Sequence, residues 1–364
     1  MLSPRLTPAM GWNSWNAFGT KIDETTLLEV ADAMIDRGLL DAGYDYFVID
    51  DGWQHTTRVG GRLIPDPDRF PSGIDWLGDQ IRQRGLHLGL YLTPGRRTCA
   101  EIYDGYGVGS GLGSYGHEAE DLDQLVGWGV ELLKYDWCRG DSCGTGINER
   151  AAFTKMAELI DQAPCEMIYS ISEYGGSRPW EWAPGVAHMW RTTLDLSPNW
   201  WRILWHAHRT QRWSHLSRPG AVNDPDMLVA GLGSITGPAA WSHVAIWAML
   251  AAPLFAGNDL RNCDDATISA LCDPALIALA QDPLVNAGQI IARRPGLDVW
   301  ERRTKSGRAR LIVNQLPLAR SVSLDRWGSG QWRMHTQEGE GAFTARLRLP
   351  GRGSVLLLEA NLGQ

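Results

Sequence analysis

From the N-terminus to about residue 285, short apolar runs alternate with segments of helical period; beyond that point the pattern changes. Apolar runs at 9–12, 44–50, 87–92, 130–136, 167–172, 188–193, 221–224 and 253–256 have the length of strands. The clearest helical segment between them is 23–37, where Leu27, Val30, Ala31, Met34 and Ile35 fall on one face. Asp23 stands where an N-cap is expected and Gly38 where a left-handed C-terminal residue is expected. Segments 74–84 (stopped by Gly85), 118–128, 148–162, 200–213, 239–250 and 266–280 read the same way, and 180–183 is a weak single turn.

Eight strands alternating with helices read as parallel βα units, and eight such units close a (β/α)8 TIM barrel. An open doubly wound sheet is the rival architecture, but no GxGxxG follows the first strand. After about residue 290, stretches at 297–303, 309–313, 320–324, 331–334, 342–349 and 354–358 alternate in polarity between Gly, Pro, Ser or Asp. They predict an antiparallel β-sandwich of about 75 residues. The expected division is a catalytic barrel over 1–286 and a C-terminal antiparallel β-sandwich domain over 287–364.

The length supports that division, since a barrel takes about 250 residues and leaves roughly a hundred of the 364 over. A net charge of −8 argues against nucleic acid or an anionic membrane as partner, because both select clustered Lys and Arg. No run of about 18 apolar residues predicts a membrane span. The first residues carry no basic segment followed by an apolar one, so the expected setting is the cytoplasm or a mature exported form. Cysteines 99, 138, 143, 165, 263 and 272 lack metal-site spacing and do not read as a disulfide framework. Trp outnumbers Phe by 18 to 6, and a flat apolar face with one N–H donor suits a sugar ring, so the excess points towards carbohydrate.

In barrel enzymes the chemistry sits at the C-terminal ends of the strands. Four predicted strands end in carboxylates: Asp50-Asp51, Lys134-Tyr135-Asp136, Arg191-Thr192-Thr193-Leu194-Asp195 and Asn223-Asp224-Pro225-Asp226. With a strand period of two, Lys134 and Asp136 share a face while Tyr135 turns to the helices. Arg191, Thr193 and Asp195 share a face if their strand stays extended. Two carboxylates, each near a cation, suit retaining glycoside hydrolysis, with Asp136 as nucleophile beside Lys134 and Asp195 as acid/base. Asp224 and Asp226 read instead as a turn whose carboxylates bond backbone N–H groups. His206 and His208 do not share a helix face, so no metal is expected. Lys134 alone raises a reading from a different class, a Schiff-base barrel aldolase, against which the neighbouring Asp136 argues.

Several of these residues belong to a wider set of ordered motifs. They are Thr7-Pro8-Ala9-Met10-Gly11-Trp12-Asn13-Ser14-Trp15, Ile49-Asp50-Asp51-Gly52-Trp53, Leu88-Gly89-Leu90-Tyr91, Leu133-Lys134-Tyr135-Asp136, Arg191-Thr192-Thr193-Leu194-Asp195, Asn223-Asp224-Pro225-Asp226-Met227-Leu228 and Ala251-Ala252-Pro253-Leu254. In this order they resemble the α-galactosidases of glycoside hydrolase family 27. The resemblance spans about residues 7–285. It implies a retaining double displacement without cofactor or metal, with Asp136 as nucleophile and Asp195 as acid/base. It further implies that Asp50 and Asp51 bind the 4- and 6-hydroxyls of galactose and that Trp15 walls the sugar subsite. Tyr91, Lys134 and Arg191 are implied as polar contacts, and Glu173 as facing the 2-position. Cys99 and Cys138 match a family pair that forms a disulfide beside the site.

The chain also departs from the family. Gly52 and Ser172 stand where two family cysteines are usual, so two bridges are absent. Trp137 follows the nucleophile position, where a bulky group at the rim is expected to touch substrate. A glycine-rich insertion at 101–112 and an unfamiliar loop at 139–146 follow strands and are expected to overhang the pocket. The expected reaction is release of terminal α-D-galactose from an oligosaccharide or polysaccharide side chain. The alternatives with the same mechanism are β-L-arabinopyranosidase, α-N-acetylgalactosaminidase and isomaltose-releasing dextranase. A non-catalytic sugar-binding barrel is expected to have lost one carboxylate, and both are present. A homo-oligomer stays open; the aglycone and any protein partner are not legible.

Overall fold

The computed structural model describes residues 6–109, 111–138, 146–328 and 332–359. Two compact units emerge: Ala9–Leu194 with Gly257–Asn262, and Leu6–Pro8 with Asp195–Ala256 and the chain from Cys263 onward.

In the first unit six strands lie side by side in chain order, each parallel to the next. They are β1 (Met10–Asn13), β2 (Tyr46–Ile49), β3 (His87–Leu92), β4 (Leu132–Asp136), β5 (Ile168–Ser172) and β6 (Met189–Arg191). Their residues are almost entirely buried, as strands covered on both faces must be. The register sets Lys134 opposite Tyr91 and Asp136 opposite Ser172, so the polar ends of β3, β4 and β5 come level. The helices between them are α1 (Trp15–Phe18), α2 (Glu24–Asp36), α3 (Gly73–Gln83), α4 (Glu118–Gly127) and α5 (Glu149–Gln162). Helix α2 begins as predicted, with Asp23 accepting from the Thr26 N–H at 2.7 Å. It buries Leu27, Val30, Ala31 and Met34, the three larger side chains contributing roughly 1.5–3 kcal/mol each. Ile35, expected on the same face, is exposed.

The second unit carries β7 (Val222–Asp224), β8 (Leu254–Ala256), α6 (Trp200–Thr210) and α7 (Pro238–Met249). Leu228 and Ala256, just past β7 and at the end of β8, form a parallel bridge. Every residue of α7 except Pro238 is buried, because one side packs on barrel elements and another on the C-terminal sheet. The helix expected over 266–280 is broken into α8 (Asp265–Leu271) and α9 (Pro274–Ala280). Pro274 has no N–H to continue α8, and Asp273 instead caps α9 through the Ala275 and Leu276 N–H groups.

The remaining strands are β9 (Gln289–Arg294), β10 (Leu297–Thr304), β11 (Gly307–Asn314), β12 (Arg320–Ser323), β13 (Trp332–Thr336), β14 (Gly339–Ala342), β15 (Arg346–Leu349) and β16 (Ser354–Glu359). Six form an antiparallel sheet in the order β14-β13-β16-β11-β10-β9, while β12 and β15 pair separately. Val299, Ile312, Val355 and Leu357 of the larger sheet pack with Val322 and Leu349 of the smaller, which makes a sandwich. The sequence pattern missed β9, an edge strand with little burial, and most of β14, which the segment at 342–349 meets only at Ala342 while covering β15. The fold class is (β/α)8 followed by a C-terminal antiparallel β-sandwich, as the alternation of elements predicts.

Candidate active site

Strand β2 ends at Ile49, and the next two residues are the acidic pair. Asp50 is 2% exposed. Its Oδ2 accepts from Lys134 Nζ and from Asn13 Nδ2, both at 2.6 Å, and its Oδ1 from the Asp51 N–H at 2.9 Å. Burial works against the charged form of Lys134, but the charges of Asp50 and Asp136 outweigh it and hold the ammonium well above its usual range. A Schiff-base lysine needs the opposite, so the aldolase reading of Lys134 fails on this geometry. The hydrogen bond of Lys134 goes to Asp50, and it interacts with Asp136, on the same face of β4, through charge.

Asp51 is also buried, with Oδ1 taking the Gly52 N–H at 2.8 Å and Oδ2 the Ala100 N–H at 2.7 Å. Burial pushes its carboxyl up to about 7, a rise tempered by Ala100 and reinforced by the charge of Asp50. At Gly52 the backbone has a φ of 95° and a Cβ would press on Thr20 at 2.9 Å. Trp15 begins α1 with its N–H on Asn13 Oδ1 at 2.9 Å. The two ends of the Asn13 amide therefore tie Trp15 to Asp50.

Asp136 closes β4 and is 5% exposed. The Tyr174 hydroxyl donates to its Oδ1 at 2.5 Å, and Cys99 Sγ lies 4.0 Å from its Oδ2. Cys99 and Cys138 are joined by a disulfide, the pairing that the family resemblance implies. Tyr91 lies beneath it, fully buried, with its hydroxyl 3.2 Å from Cys138 Sγ and accepting from the Cys99 N–H at 3.4 Å. Burial, then the charges of Asp51 and Asp136, push the Tyr91 phenol up, so it stays protonated.

Glu173 follows β5 and is wholly buried; its Oε2 accepts from the Ser177 N–H at 2.7 Å and hydroxyl at 2.8 Å. Arg191 ends β6, with Nη2 on the Thr193 carbonyl at 3.1 Å and Cζ 5.3 Å from the centroid of the Tyr174 ring. Because β6 stops at Arg191, the two-residue period does not carry on to Thr193 and Asp195 as expected. Asp195 is exposed and belongs to the second unit, in the segment leading to α6. Its neighbour Leu196 donates its N–H to Asp226 Oδ2 at 2.6 Å, and Asp226 donates its own to Asp224 Oδ1 at 2.7 Å. The Asn-Asp-Pro-Asp motif thus acts as the predicted turn, and it holds the backbone next to Asp195. His206 and His208 turn to different partners, the Pro225 carbonyl and Asp298.

Trp137 departs from its predicted place at the rim. It is 5% exposed and its ring meets Phe153 of α5, which also touches Tyr135 and Trp182. As the residue after Asp136, it turns outward to the helices when Asp136 turns in. The insertion at 101–112 is pinned rather than overhanging freely. Buried Glu101 accepts the N–H groups of Thr98, Gly111 and Leu112, and the Tyr106 hydroxyl bonds Arg69 and the Gln54 carbonyl. Of the loop at 139–146, residues 139–145 lie outside the described residues. Sequence reasoning missed Asn13, Ser177 and Tyr174. Adjacency to Glu173 was the one signal for Tyr174, and its orientation depends on a positive φ that no periodicity reveals.

Buried carboxylates and a paired lysine at the ends of adjacent barrel strands are the equipment of a carbohydrate-cleaving enzyme, and comparison with known proteins gives the class: the chain is a glycoside hydrolase. Alpha-galactosidase 2 of Arabidopsis thaliana is 37% identical over 88% of this chain and 78% of its own length. Alpha-galactosidase A of Cellvibrio japonicus is 39% identical over 76% of this chain and 68% of its own. The crystal structure of α-galactosidase I from Mortierella vinacea superposes with a TM-score of 0.86 at 26% identity, covering 99% of each chain. The family profile described as "Alpha galactosidase A" matches residues 7–282, and the chain belongs to that family, glycoside hydrolase family 27.

Proposed function

We propose that this glycoside hydrolase releases terminal α-D-galactose by a retaining double displacement in which Asp136 is the nucleophile and Asp195 the acid/base. The observation that carries the sugar assignment is the buried acidic pair: Asp50, bonded to Lys134, beside Asp51, with Trp15 tied to Asp50 through Asn13. Such fixed acceptors suit the hydroxyls of a single terminal sugar. Glu173, buried and fixed by Ser177, supports a free 2-hydroxyl over a 2-acetamido group. Tyr91 and Arg191 complete the polar wall in this reading.

In the first step Asp136 forms a bond to the anomeric carbon as the bond to the aglycone oxygen breaks, and Asp195 delivers its proton to that oxygen. In the second, Asp195 takes a proton from water, which displaces Asp136 and restores the starting configuration. The tyrosine hydrogen bond and the nearby lysine charge suit an ionised nucleophile. The barrel over 1–286 carries this chemistry and the sandwich over 287–364 is accessory, a division supported by the change to antiparallel pairing at β9.

A nitrophenyl panel tests the sugar: the α-galactoside is expected to be cleaved far faster than the β-L-arabinopyranoside, α-N-acetylgalactosaminide or α-glucoside. Dominance of any other glycoside removes the galactose assignment. Azide tests the two carboxylates separately. Asp136→Asn should be silent alone and yield β-galactosyl azide, because azide then attacks from the nucleophile's side. Asp195→Ala should lose roughly 10²–10⁴-fold and yield the α-azide instead.

A further inference from the structure

We propose that Tyr174 is a positioning residue for the nucleophile: its phenol donates to Asp136 Oδ1, leaves Oδ2 to attack, and steadies the carboxylate as it departs in the second step. This inference rests on the reading of Asp136 as nucleophile. The tyrosine comes from the Ser-Ile-Ser-Glu-Tyr-Gly segment that runs on from the end of β5.

Three observations carry it. The hydroxyl lies 2.5 Å from Oδ1, the length of a strong charge-assisted bond from O–H to a carboxylate. The backbone of Tyr174 has a φ of 67°, a left-handed conformation that costs a non-glycine residue of order 1 kcal/mol and more. Gly175 follows with a φ of 81°, and a Cβ there would press on the Thr192 carbonyl at 2.6 Å. Two successive left-handed residues turn the chain sharply after Glu173, and that turn presents the phenol to Asp136. Arg191 then lies against the ring, with Cζ 5.3 Å from its centroid, so the aromatic side chain is held between a cation and the carboxylate it serves.

The chemistry follows from the charge on Oδ1. In the resting enzyme the carboxylate shares its negative charge between both oxygens, and Tyr174 binds one of them. When Oδ2 bonds to the anomeric carbon, Oδ1 becomes the carbonyl oxygen of an ester, a weaker acceptor. When water displaces the sugar, the C1–Oδ2 electron pair returns to Asp136, its proton count unchanged, and the hydrogen bond regains full strength. The phenol therefore favours departure of Asp136 and should speed deglycosylation more than glycosylation. Among the described residues, Lys134 of β4 and Tyr91 of β3 interact electrostatically with Asp136, and Asp50, Asp51 and Arg191 act in turn on one or other of these two.

Tyr174→Phe keeps the ring and the turn and removes only the hydroxyl. With an activated dinitrophenyl α-galactoside we expect kcat to fall roughly tenfold and KM to fall with it, as the glycosyl-enzyme accumulates behind a slower second step. A pre-steady-state burst should appear or grow. The acidic limb of kcat/KM should move up by about one pH unit as the carboxylate loses a donor. Replacing Tyr174 by 3-fluorotyrosine, a more acidic phenol of nearly the same size, should shift that limb in the opposite direction. Unchanged limbs and burst in both variants overturn the proposal, as does a rise in KM with kcat unaltered, the mark of a merely structural wall. Mass spectrometry of the trapped galactosyl-enzyme separates this from failure of the underlying reading: a label on Asp136 with silent Tyr174 variants removes only the tyrosine, whereas a label elsewhere removes both.

Discussion

Asp50 and Asp273 are both buried carboxylates with a basic side chain within hydrogen-bond reach, Lys134 at 2.6 Å for one and His335 at 2.8 Å for the other. Their surroundings differ in what they are for. Asp273 also accepts from the Trp241 indole and two N–H groups at the start of α9, so it fastens a helix, an indole and strand β13 together. His208 with Asp298, and Arg302 with the Ala248 carbonyl near the end of α7, likewise link helices to the sandwich in the second unit. In the first unit Asp50, Asp51, Lys134, Asp136, Glu173 and Arg191 gather at successive strand ends instead. The pairs around Asp273, Asp298 and Arg302 join elements, whereas the set around Asp50 lines a site. Burial and pairing alone do not separate these uses; position along the strand does.

The comparison breaks if stability and activity respond alike in the two sets. The largest effect is expected from Asp136→Asn, where kcat should fall below detection while the melting temperature, followed by circular dichroism, stays within a few degrees of the parent. A large loss of stability there would make Asp136 a fastening residue too. Arg302 should behave in the opposite way. It is 1% exposed, its pKa is lowered to about 10 by burial, and its Nε and Nη2 have no hydrogen-bond partner among the described residues. Arg302→Ala should cost about 3 kcal/mol by denaturant unfolding through the cavity it leaves. Arg302→Met, which keeps the volume and removes the buried charge, should be close to neutral, and neither should change the kinetics of the folded enzyme.

The smallest effect sharpens the comparison. Burial works against the ionised Asp273, but His335 and Trp241 outweigh it and hold its carboxyl below the unfolded value of 3.8. A depressed folded pKa contributes stability that is complete above the unfolded value and lost as pH falls through the folded one. Asp273→Asn should therefore cost about 1 kcal/mol at neutral pH and progressively less in acid below about pH 4. A gap that stays constant across that range would mean that the charge contributes nothing.

The barrel was legible because its strands are buried on both faces and read as uninterrupted apolar runs; β3 spans the predicted residues, and α2 starts at its predicted cap. Legibility failed where tertiary contacts overrule the local pattern. Strand β6 ends early because the chain bends after Arg191, and the edge strand β9 buries too little to mark itself. In the site, the two-residue period put Lys134 and Asp136 together and sent Tyr135 outward, but it could not say that Lys134 would bond a carboxylate 84 positions away. Trp137 looked like a rim group on bulk alone, yet the same period assigns it to the helices. Tyr174 depends on backbone handedness, to which hydrophobic periodicity is blind.

The insertion at 101–112 is staked at its base by Glu101 and in its middle by Tyr106, while Tyr103 and Val108 project into solvent. Such a construction behaves as an interchangeable cassette: selection can rewrite the projecting tip freely, provided the two stakes survive. Lineages carrying this segment should therefore diversify at the tip while Glu101 and Tyr106 stand still.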